Sequence, residues 1–189
     1  MSIRVGLGVD FHRFAEGRRL VLGGVEIPFG RGLEGHSDAD VLTHAVCDAL
    51  LGAAGLGDIG LHFPPGEPQF KDISSLELLG RVRALIEREG FRVANVDAVL
   101  VLEAPKVAPY FPEMRERLAQ ALGIGPDRVS VKATRPEGLG ALGRGEGVFA
   151  QAVALLVSGE PSGAGGSGGS HRCGDRGHPG ADRGVFAYP

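Results

Sequence analysis

Residues 3–14 have the sequence IRVGLGVDFHRF, which decides the first element of the fold. Apolar side chains recur at every second position, and this alternation predicts a β-strand with one buried apolar face. That face comprises Val5, Leu7 and Val9. Side chains alternate along a strand, so Asp10 and His12 project together from the opposite face. A carboxylate and an imidazole in this arrangement suit two ligands of one metal ion.

The segments that follow alternate between strand and helix patterns. Residues 19–30, RLVLGGVEIPFG, predict a hairpin that turns at the Gly-Gly pair. Residues 36–55, HSDADVLTHAVCDALLGAAG, predict a helix that starts near Asp38, with Ser37 or Asp38 as its N-cap. Gly55 is expected to end this helix.

The second half of the chain continues the alternation. Residues 74–89 predict a helix in which Ser74 and Glu77 form a capping box. The remaining predicted elements are a strand over 91–105, a helix over 112–123, and strands over 128–134 and 147–159. This order predicts an α/β (α+β) sandwich, with one mixed sheet covered by helices on one face. The other face then needs cover, which self-association would supply.

Composition narrows the classes of partner. The 189 residues are 43% hydrophobic, enough for a sizeable core, and the formal net charge is −3. This charge gives no broad basic surface for nucleic acid or for a membrane, and it favours a small-molecule partner. The start of the chain lacks a secretory signal pattern, so we expect a cytoplasmic protein. Cys47 and Cys173 lie far apart, and no disulfide is expected.

The last thirty or so residues differ sharply in composition from the rest. Glycine and small polar residues dominate residues 160–189, and no apolar periodicity is present. Such a segment buries too little surface to offset its ordering entropy. We therefore expect one folded domain over residues 1–159 and a disordered tail over residues 160–189.

A third metal ligand is available on the first long helix. Asp40, His44 and Asp48 are spaced four residues apart, on the face opposite the apolar stripe. His44 would complete a set with Asp10 and His12, and mixed oxygen and nitrogen ligands favour zinc. Asp48 is the better placed aspartate to orient the imidazole. The residues alone leave two other interpretations open, a hydrogen-bonded surface pair on the strand and a simply solvated helix face.

Two stretches are candidate anion sites. His36 and Ser37 precede a helix N-terminus, where free amide groups favour phosphate. The segment GLGALGRGEG, residues 138–147, combines a glycine-rich turn with the donor fork of Arg144. A helix cap and an ordinary hairpin connection explain the same patterns without a ligand.

Further polar residues lie where predicted strands end. Thr134 and Glu137 follow one strand, and Lys106 follows another. Strand ends are where α/β folds bind ligands, and the Glu137 carboxylate suits magnesium or manganese beside a diphosphate. An exposed turn acid and a solvated lysine are the alternatives.

The ordered set of motifs resembles a known family. GVDFHRF, HSDADVLTHAVCDALLGAAGLGDIG, FP at 63–64, APK at 104–106, VKAT and GRGEG together resemble the 2-C-methyl-D-erythritol 2,4-cyclodiphosphate synthases of the non-mevalonate isoprenoid pathway. The resemblance spans about residues 3–157. It implies a homotrimer in which the sheets of three subunits pack together, with active sites between subunits. It also implies a lyase reaction, in which the 2-phosphate of the cytidyl diphosphate substrate attacks the β-phosphorus and CMP leaves.

The resemblance also assigns roles to residues. It implies zinc ligands at Asp10, His12 and His44, and a second divalent ion, Mg²⁺ or Mn²⁺, at Glu137. Asp10 and His12 would lie against the substrate as well. The implied contacts to the phosphorylated methylerythritol are His36, which would also stabilise the transition state, Ser37, Asp58, Gly60 and Phe63. The implied contacts on the cytidine and α-phosphate side are Lys106, Ala133 and Thr134, and Arg144 is a further substrate contact.

The chain departs from the family pattern at two places. KATRPE replaces the usual KATTTE, so Arg135 and Pro136 stand where relatives have threonines. Arg135 would replace a catalytic hydroxyl donor with a charged one, unless a backbone amide supplies that contact. Ala141 stands where an aromatic residue is common, which argues against an isoprenoid cavity on the trimer axis. A metal-dependent phosphohydrolase and a scaffold with a structural metal are the competing functions.

Overall fold

The computed structural model describes residues 1–158. These residues form seven strands, namely β1 (Ile3–Ala15), β2 (Leu20–Leu22), β3 (Val25–Ile27), β4 (Gly32–Leu33), β5 (Phe91–Val101), β6 (Val129–Thr134) and β7 (Gly147–Ser158). The α-helices are α1 (Val41–Ala54), α2 (Ile59–His62), α3 (Ser75–Arg88), α4 (Phe111–Leu122) and α5 (Gly140–Gly143). The predicted tail, residues 160–189, lies outside the described residues, so its disorder and the domain boundary stay predictions.

One five-stranded mixed sheet organises the chain. Its strand order is β4-β1-β7-β5-β6, and β2 and β3 form a separate hairpin. β1 and β5 both pair antiparallel with β7, while β5 and β6 run parallel. The prediction of a mixed sheet with helices on one face is therefore confirmed.

Small residues bring α1 directly against the sheet. A side chain at Gly8 would place its Cβ 2.0 Å from the carbonyl oxygen of Ala45, and one at Gly6 would lie 1.9 Å from that of Ala49. β7 presents its own row of buried alanines to the same helix, at Ala150, Ala152 and Ala154. This close approach sets the distance between His44 on α1 and the ligands on β1.

The packing reverses one prediction about β1. Val5, Leu7 and Val9 were expected to be buried, but in the chain they are exposed, Leu7 to 60% of its surface. The helices instead cover the glycine side of β1, because only residues without side chains let α1 approach this closely. The apolar face of β1 therefore remains open in the single chain.

The start of α1 also differs from the prediction. Its N-cap is Asp40, and neither Ser37 nor Asp38 caps it. Asp40 is fully buried, and its carboxylate accepts hydrogen bonds from the backbone N–H groups of Gly23, Gly24 and Thr43 and from the Thr43 hydroxyl. Burial, followed by the charge of Asp38, raises the pKa of the Asp40 carboxyl. One carboxylate thus joins the β2–β3 turn to the start of α1.

The predicted capping box of α3 is wrong. Ser74 occupies the N-cap position but makes no capping hydrogen bond with its side chain. Asp38, which is distant in the sequence, caps the helix instead. Its carboxylate accepts a hydrogen bond of 3.0 Å from the Ser75 backbone N–H. A residue expected to cap α1 therefore caps α3.

Cys47 is a buried free thiol on α1, and burial raises its pKa well above the usual value. Cys173 lies outside the described residues, so the absence of a disulfide between Cys47 and Cys173 stays a prediction. Across residues 1–158, no helix combines the length and apolar character needed to cross a membrane.

Candidate metal centre and adjoining cavities

Asp10, His12 and His44 meet at the end of β1 where α1 passes over it. The Asp10 Oδ2 atom lies 2.9 Å from His12 Nε2 and 3.1 Å from His44 Nδ1. The two nitrogens lie 3.2 Å apart. The set predicted from spacing is therefore brought together, with each residue half-buried.

In each imidazole, the nitrogen that faces away from Asp10, here called the outer nitrogen, is hydrogen-bonded to an oxygen. The partner of the outer nitrogen indicates where the ring carries its proton, and so which nitrogen is free to bind a metal. His12 Nδ1 lies 2.5 Å from the carbonyl oxygen of Glu34, which can only accept, so Nδ1 carries the proton. His44 Nε2 lies 2.9 Å from the Ser75 hydroxyl, which itself donates to the Asp38 carboxylate. With its outer nitrogen protonated in this way, each imidazole has a lone pair available on the side of Asp10 whenever a cation takes the place of a second proton.

Three acceptor atoms that face one another repel unless a cation lies between them. Ligand atoms arranged tetrahedrally around zinc lie roughly 3.3 Å apart, close to the separations at this site. Both imidazoles also donate their second N–H to a fixed oxygen, as metal-bound histidines generally do. The donor set therefore fits a divalent metal ion.

Without a metal ion, imidazole protons supply the positive charge that faces the Asp10 carboxylate. Burial raises the pKa of Asp10, but hydrogen bonds from His12 and His44 outweigh it and bring the pKa well below the usual aspartate value. Burial lowers the pKa of His12, yet the hydrogen bond and charge of Asp10 raise it overall. The carboxylate thus creates a site that attracts positive charge.

The expected role of Asp48 is not observed. Its carboxylate accepts a hydrogen bond of 2.7 Å from the backbone N–H of Ile59 and so anchors the start of α2. Burial raises its pKa. The Ser75 hydroxyl, not Asp48, lies against the outer nitrogen of His44, and sequence reasoning missed it because its partners, Asp38 and His44, are more than thirty positions away. The only local signal was a second serine after Ser74.

A cavity of about 230 Å³ opens beside the cluster of Asp10, His12 and His44, called here the metal cluster. Its lining includes His12, His44 and four residues predicted to bind substrate, namely His36, Ser37, Gly60 and Phe63. The Ser37 hydroxyl lies 3.2 Å from His44 Nε2, and His36 Nε2 lies 3.1 Å from the Glu67 carbonyl oxygen. Asp58 lies next to the cavity as the N-cap of α2, where it accepts from the Leu61 N–H.

A second cavity, of about 330 Å³, lies at the ends of β5 and β6. It brings together Lys106, Ala133, Thr134 and Arg135, all of them predicted site residues. β7 and β5 separate β6 from β1 in the sheet, so this cavity belongs to the edge away from the metal cluster.

Glu137 and Arg144 line neither cavity and lie apart from the cluster of Asp10, His12 and His44 within the chain. Glu137 is exposed beyond β6, with a positive φ of 53°. Arg144 ends α5, and its guanidinium forms an ion pair of 2.6 Å with Glu146. Neither contacts the metal cluster.

Comparison with known proteins identifies the family of this chain. Residues 3–157 match the YgbB family. The 2-C-methyl-D-erythritol 2,4-cyclodiphosphate synthase of Gloeobacter violaceus is 62% identical over 155 residues, covering 82% of this chain and 95% of that protein. The synthase of the same name from Chlorobium phaeobacteroides is 61% identical over 154 residues, covering 82% and 98%.

A solved structure of a relative has the same fold. The CDP complex of IspF from Plasmodium falciparum matches with a TM-score of 0.74 at 31% identity, covering 84% of this chain and 98% of that one. The chain therefore belongs to the YgbB family, whose curated relatives are 2-C-methyl-D-erythritol 2,4-cyclodiphosphate synthases.

Proposed function

We propose that this chain converts 4-diphosphocytidyl-2-C-methyl-D-erythritol 2-phosphate into 2-C-methyl-D-erythritol 2,4-cyclodiphosphate with release of CMP. The observation that carries the proposal is the cluster of Asp10, His12 and His44, whose three acceptor atoms lie beside a cavity of about 230 Å³. Identity near 60% to synthases over most of the chain supports this reaction over a phosphohydrolase or a scaffold.

The reaction is an intramolecular phosphoryl transfer. An oxygen of the 2-phosphate bonds to the β-phosphorus, and the bond from that phosphorus to the oxygen bridging the α-phosphate breaks. CMP leaves with that oxygen and its electron pair. Two anionic groups must approach each other, so the barrier is one of position and charge, which fixed donors and cations lower.

Asp10, His12 and His44 would hold the first ion, which we propose is zinc. Zinc bound there would supply Lewis-acid stabilisation of charge on phosphate oxygens. The residues themselves set the position of the reacting phosphates, because β1 and α1 are in rigid contact at Gly8.

The cavity beside the cluster would take the methylerythritol part of the substrate. Ser37 and His36 lie beside the metal ligands, where a hydroxyl and an imidazole would donate to phosphate oxygens, and His36 would stabilise the transition state. Phe63 supplies an apolar surface for the methyl group, and Asp58 and Gly60 lie at the start of α2 for the substrate hydroxyls.

The second cavity would take the cytidine and the α-phosphate. Lys106 and Arg135 bring two positive charges there, and Ala133 and Thr134 line it beside them. We propose that Arg135 supplies the charge-stabilising donor that a threonine supplies in relatives. Glu137 follows directly and would hold the second divalent ion, Mg²⁺ or Mn²⁺, against the diphosphate. Arg144 lies at an exposed position within the single chain. It would contact the substrate only after several copies of the chain assemble into one site.

A homotrimer would bring the two cavities into one site. The exposed apolar face of β1 needs a partner, and the cavities lie toward different edges of the same sheet. Three sheets packed around an axis would cover that face and place the β6 edge of one copy beside the β1 edge of the next.

The test is incubation of the purified protein with the cytidyl substrate and magnesium, followed by phosphorus NMR. We expect the cyclic diphosphate and CMP, loss of the product after zinc is stripped, and recovery when zinc is restored. His44→Ala should lose at least a hundredfold in turnover, while His62→Ala, which removes an imidazole that is hydrogen-bonded to the Leu56 carbonyl oxygen and lies outside the cluster, should retain most of it.

Oxygen-18 water separates cyclisation from hydrolysis. Ring closure takes no oxygen from solvent, so the products should carry none of the label. Labelled methylerythritol phosphates without cyclic product would replace this proposal with the phosphohydrolase. A wild-type protein that keeps its metal but releases no CMP would favour the scaffold.

A further inference from the structure

Ser75 lies directly behind the metal ligand His44. Its side chain is fully buried at the first position of α3. Its hydroxyl oxygen lies 2.9 Å from His44 Nε2, on the side of the ring that faces away from Asp10. A buried hydroxyl in this place is poorly explained by helix capping alone, because capping uses the backbone N–H of Ser75.

The direction of each hydrogen bond follows from Asp38. Its carboxylate can only accept, so the Ser75 hydroxyl donates its one proton to Asp38 Oδ1. The hydroxyl oxygen must then accept from His44, which requires the proton on Nε2. Nδ1 is left with its lone pair, 3.1 Å from Asp10 Oδ2.

The other contact of His44 Nε2, with Ser37, does not decide which nitrogen of His44 carries the proton. Ser37 Oγ also lies near His44 Nε2, but at 3.2 Å, and it already accepts a hydrogen bond from the Ala39 N–H. Its own proton is not directed elsewhere by a carboxylate, so Ser37 can donate or accept. Only the Asp38–Ser75 pair imposes one tautomer.

We propose that Asp38 and Ser75 are positioning residues, which keep the proton of His44 on Nε2 and so present Nδ1 to the metal. The inference deepens the proposed function, since it rests on the metal site formed by Asp10, His12 and His44. Hydrogen-bonded partners behind a metal ligand typically change metal affinity by about 10-fold to 100-fold.

The same pair ties the metal ligand to the lining of the cavity. The Asp38 backbone N–H donates to the Ile73 carbonyl oxygen at 3.1 Å, and the Asp72 N–H donates to the His36 carbonyl oxygen at 2.9 Å. Ile73 and His36 both line the cavity. The segment that holds Ser75 behind His44 is therefore also joined to the lining of the cavity.

The experiment compares Ser75→Ala and Asp38→Asn with Ser74→Ala. Ser74 is a matched control, because it is the preceding serine, is exposed and makes no capping hydrogen bond with its side chain. Zinc affinity is measured by competition with a chromophoric chelator. Nitrogen-15 NMR of the imidazole rings, assigned with His44→Ala, reports the tautomer of His44 in the metal-free protein.

We expect Ser75→Ala to weaken zinc binding about 10-fold to 100-fold and to lose the single Nε2-protonated tautomer. Asp38→Asn should shift both readouts in the same direction, and it decides the question if Ser75→Ala fails to fold. Ser74→Ala should match the wild type in both. Equal zinc affinity and an unchanged tautomer in Ser75→Ala and Asp38→Asn would overturn the inference.

The two proposals fail in different ways. A wild-type protein that binds no zinc would contradict the metal site, while the tautomer measurement would still decide the role of Ser75. A wild type that binds zinc and a Ser75→Ala variant that binds it equally well would overturn only the positioning role.

Discussion

Asp40 shows how much one buried carboxylate does in this fold. Its two oxygens accept four hydrogen bonds, two at each oxygen, from the β2–β3 turn and from Thr43. Every one of these partners is a donor. The four hydrogen bonds join the two elements, and a buried donor that loses its acceptor is destabilising.

Asp40→Asn tests this role. The amide NH₂ group must replace one oxygen, and in either orientation it meets two donors. We expect the free energy of unfolding to fall by about 3 kcal/mol, measured by urea denaturation. Glu116→Gln, at an exposed position on α4, should change it by less than about 0.5 kcal/mol. Equal stability of the two variants would contradict the proposed role of Asp40.

The candidate metal ligands could be predicted at the scale of residues, while the groups that hydrogen-bond to them could not. Alternation along β1 places Asp10 and His12 on one face, and helical spacing places His44 away from the apolar stripe of α1. The oxygens that orient the imidazoles come from Glu34 and Ser75, which no local pattern links to them. Contacts between distant segments of the chain require the fold itself.

At the scale of elements, the contact between β1 and α1 determines the site. The sequence predicts the two elements but not which face of β1 the helix covers, because the stronger apolar pattern lies on the other face. The signal that was available is the Gly6 and Gly8 pair, since glycines on one face of a strand permit close approach of a backbone. Similarly, Asp40 rather than Ser37 caps α1, because the β2–β3 turn needs an acceptor there.

Gly8→Ala tests the contact. The added methyl group would lie 2.0 Å from the Ala45 carbonyl oxygen, so α1 must move away and carry His44 from Asp10. We expect a loss of about 2–3 kcal/mol in stability and at least a tenfold loss in zinc affinity. The measurements are urea denaturation and chelator competition.

Gly52→Ala, on the helix α1 that packs against Gly8, is the control. Its added Cβ would meet only the Leu7 carbonyl oxygen, at 3.9 Å, and the position is exposed. Alanine is the better helix former, so we expect a gain of up to about 1 kcal/mol with zinc affinity unchanged. A Gly8→Ala variant that behaves like Gly52→Ala would show that the close approach is not needed.

At the scale of the whole molecule, the open face of the sheet is the main unpartnered surface of the described residues. Ile3, Val5, Leu7, Val9 and Phe11 all expose 47–65% of their surface on it. A monomer in water rarely leaves so continuous an apolar patch uncovered. The sequence predicted that one face of the sheet needs cover, but it did not predict which face is open.

Leu7→Asp should disrupt the proposed trimer. A carboxylate buried between subunits has no partner there, so we expect monomers or aggregates by light scattering and loss of cyclisation at dilute protein concentrations. Gln120→Glu adds the same charge on an exposed position of α4 and should leave the assembly unchanged. A Leu7→Asp protein that remains trimeric and active would place the subunit contact elsewhere.

The tight fit of α1 on the glycines of β1 also has a consequence for hydrogen exchange. Amide protons exchange with deuterium when a segment opens, and α1 cannot separate from β1 and β7 without exposing the most densely packed part of the core. The amides of Ala45, Val46 and Ala49 should therefore exchange only on global unfolding. Those of Gly66, Glu67 and Gln69, which belong to no long helix or strand, should exchange orders of magnitude faster and slow down when substrate fills the cavity beside them.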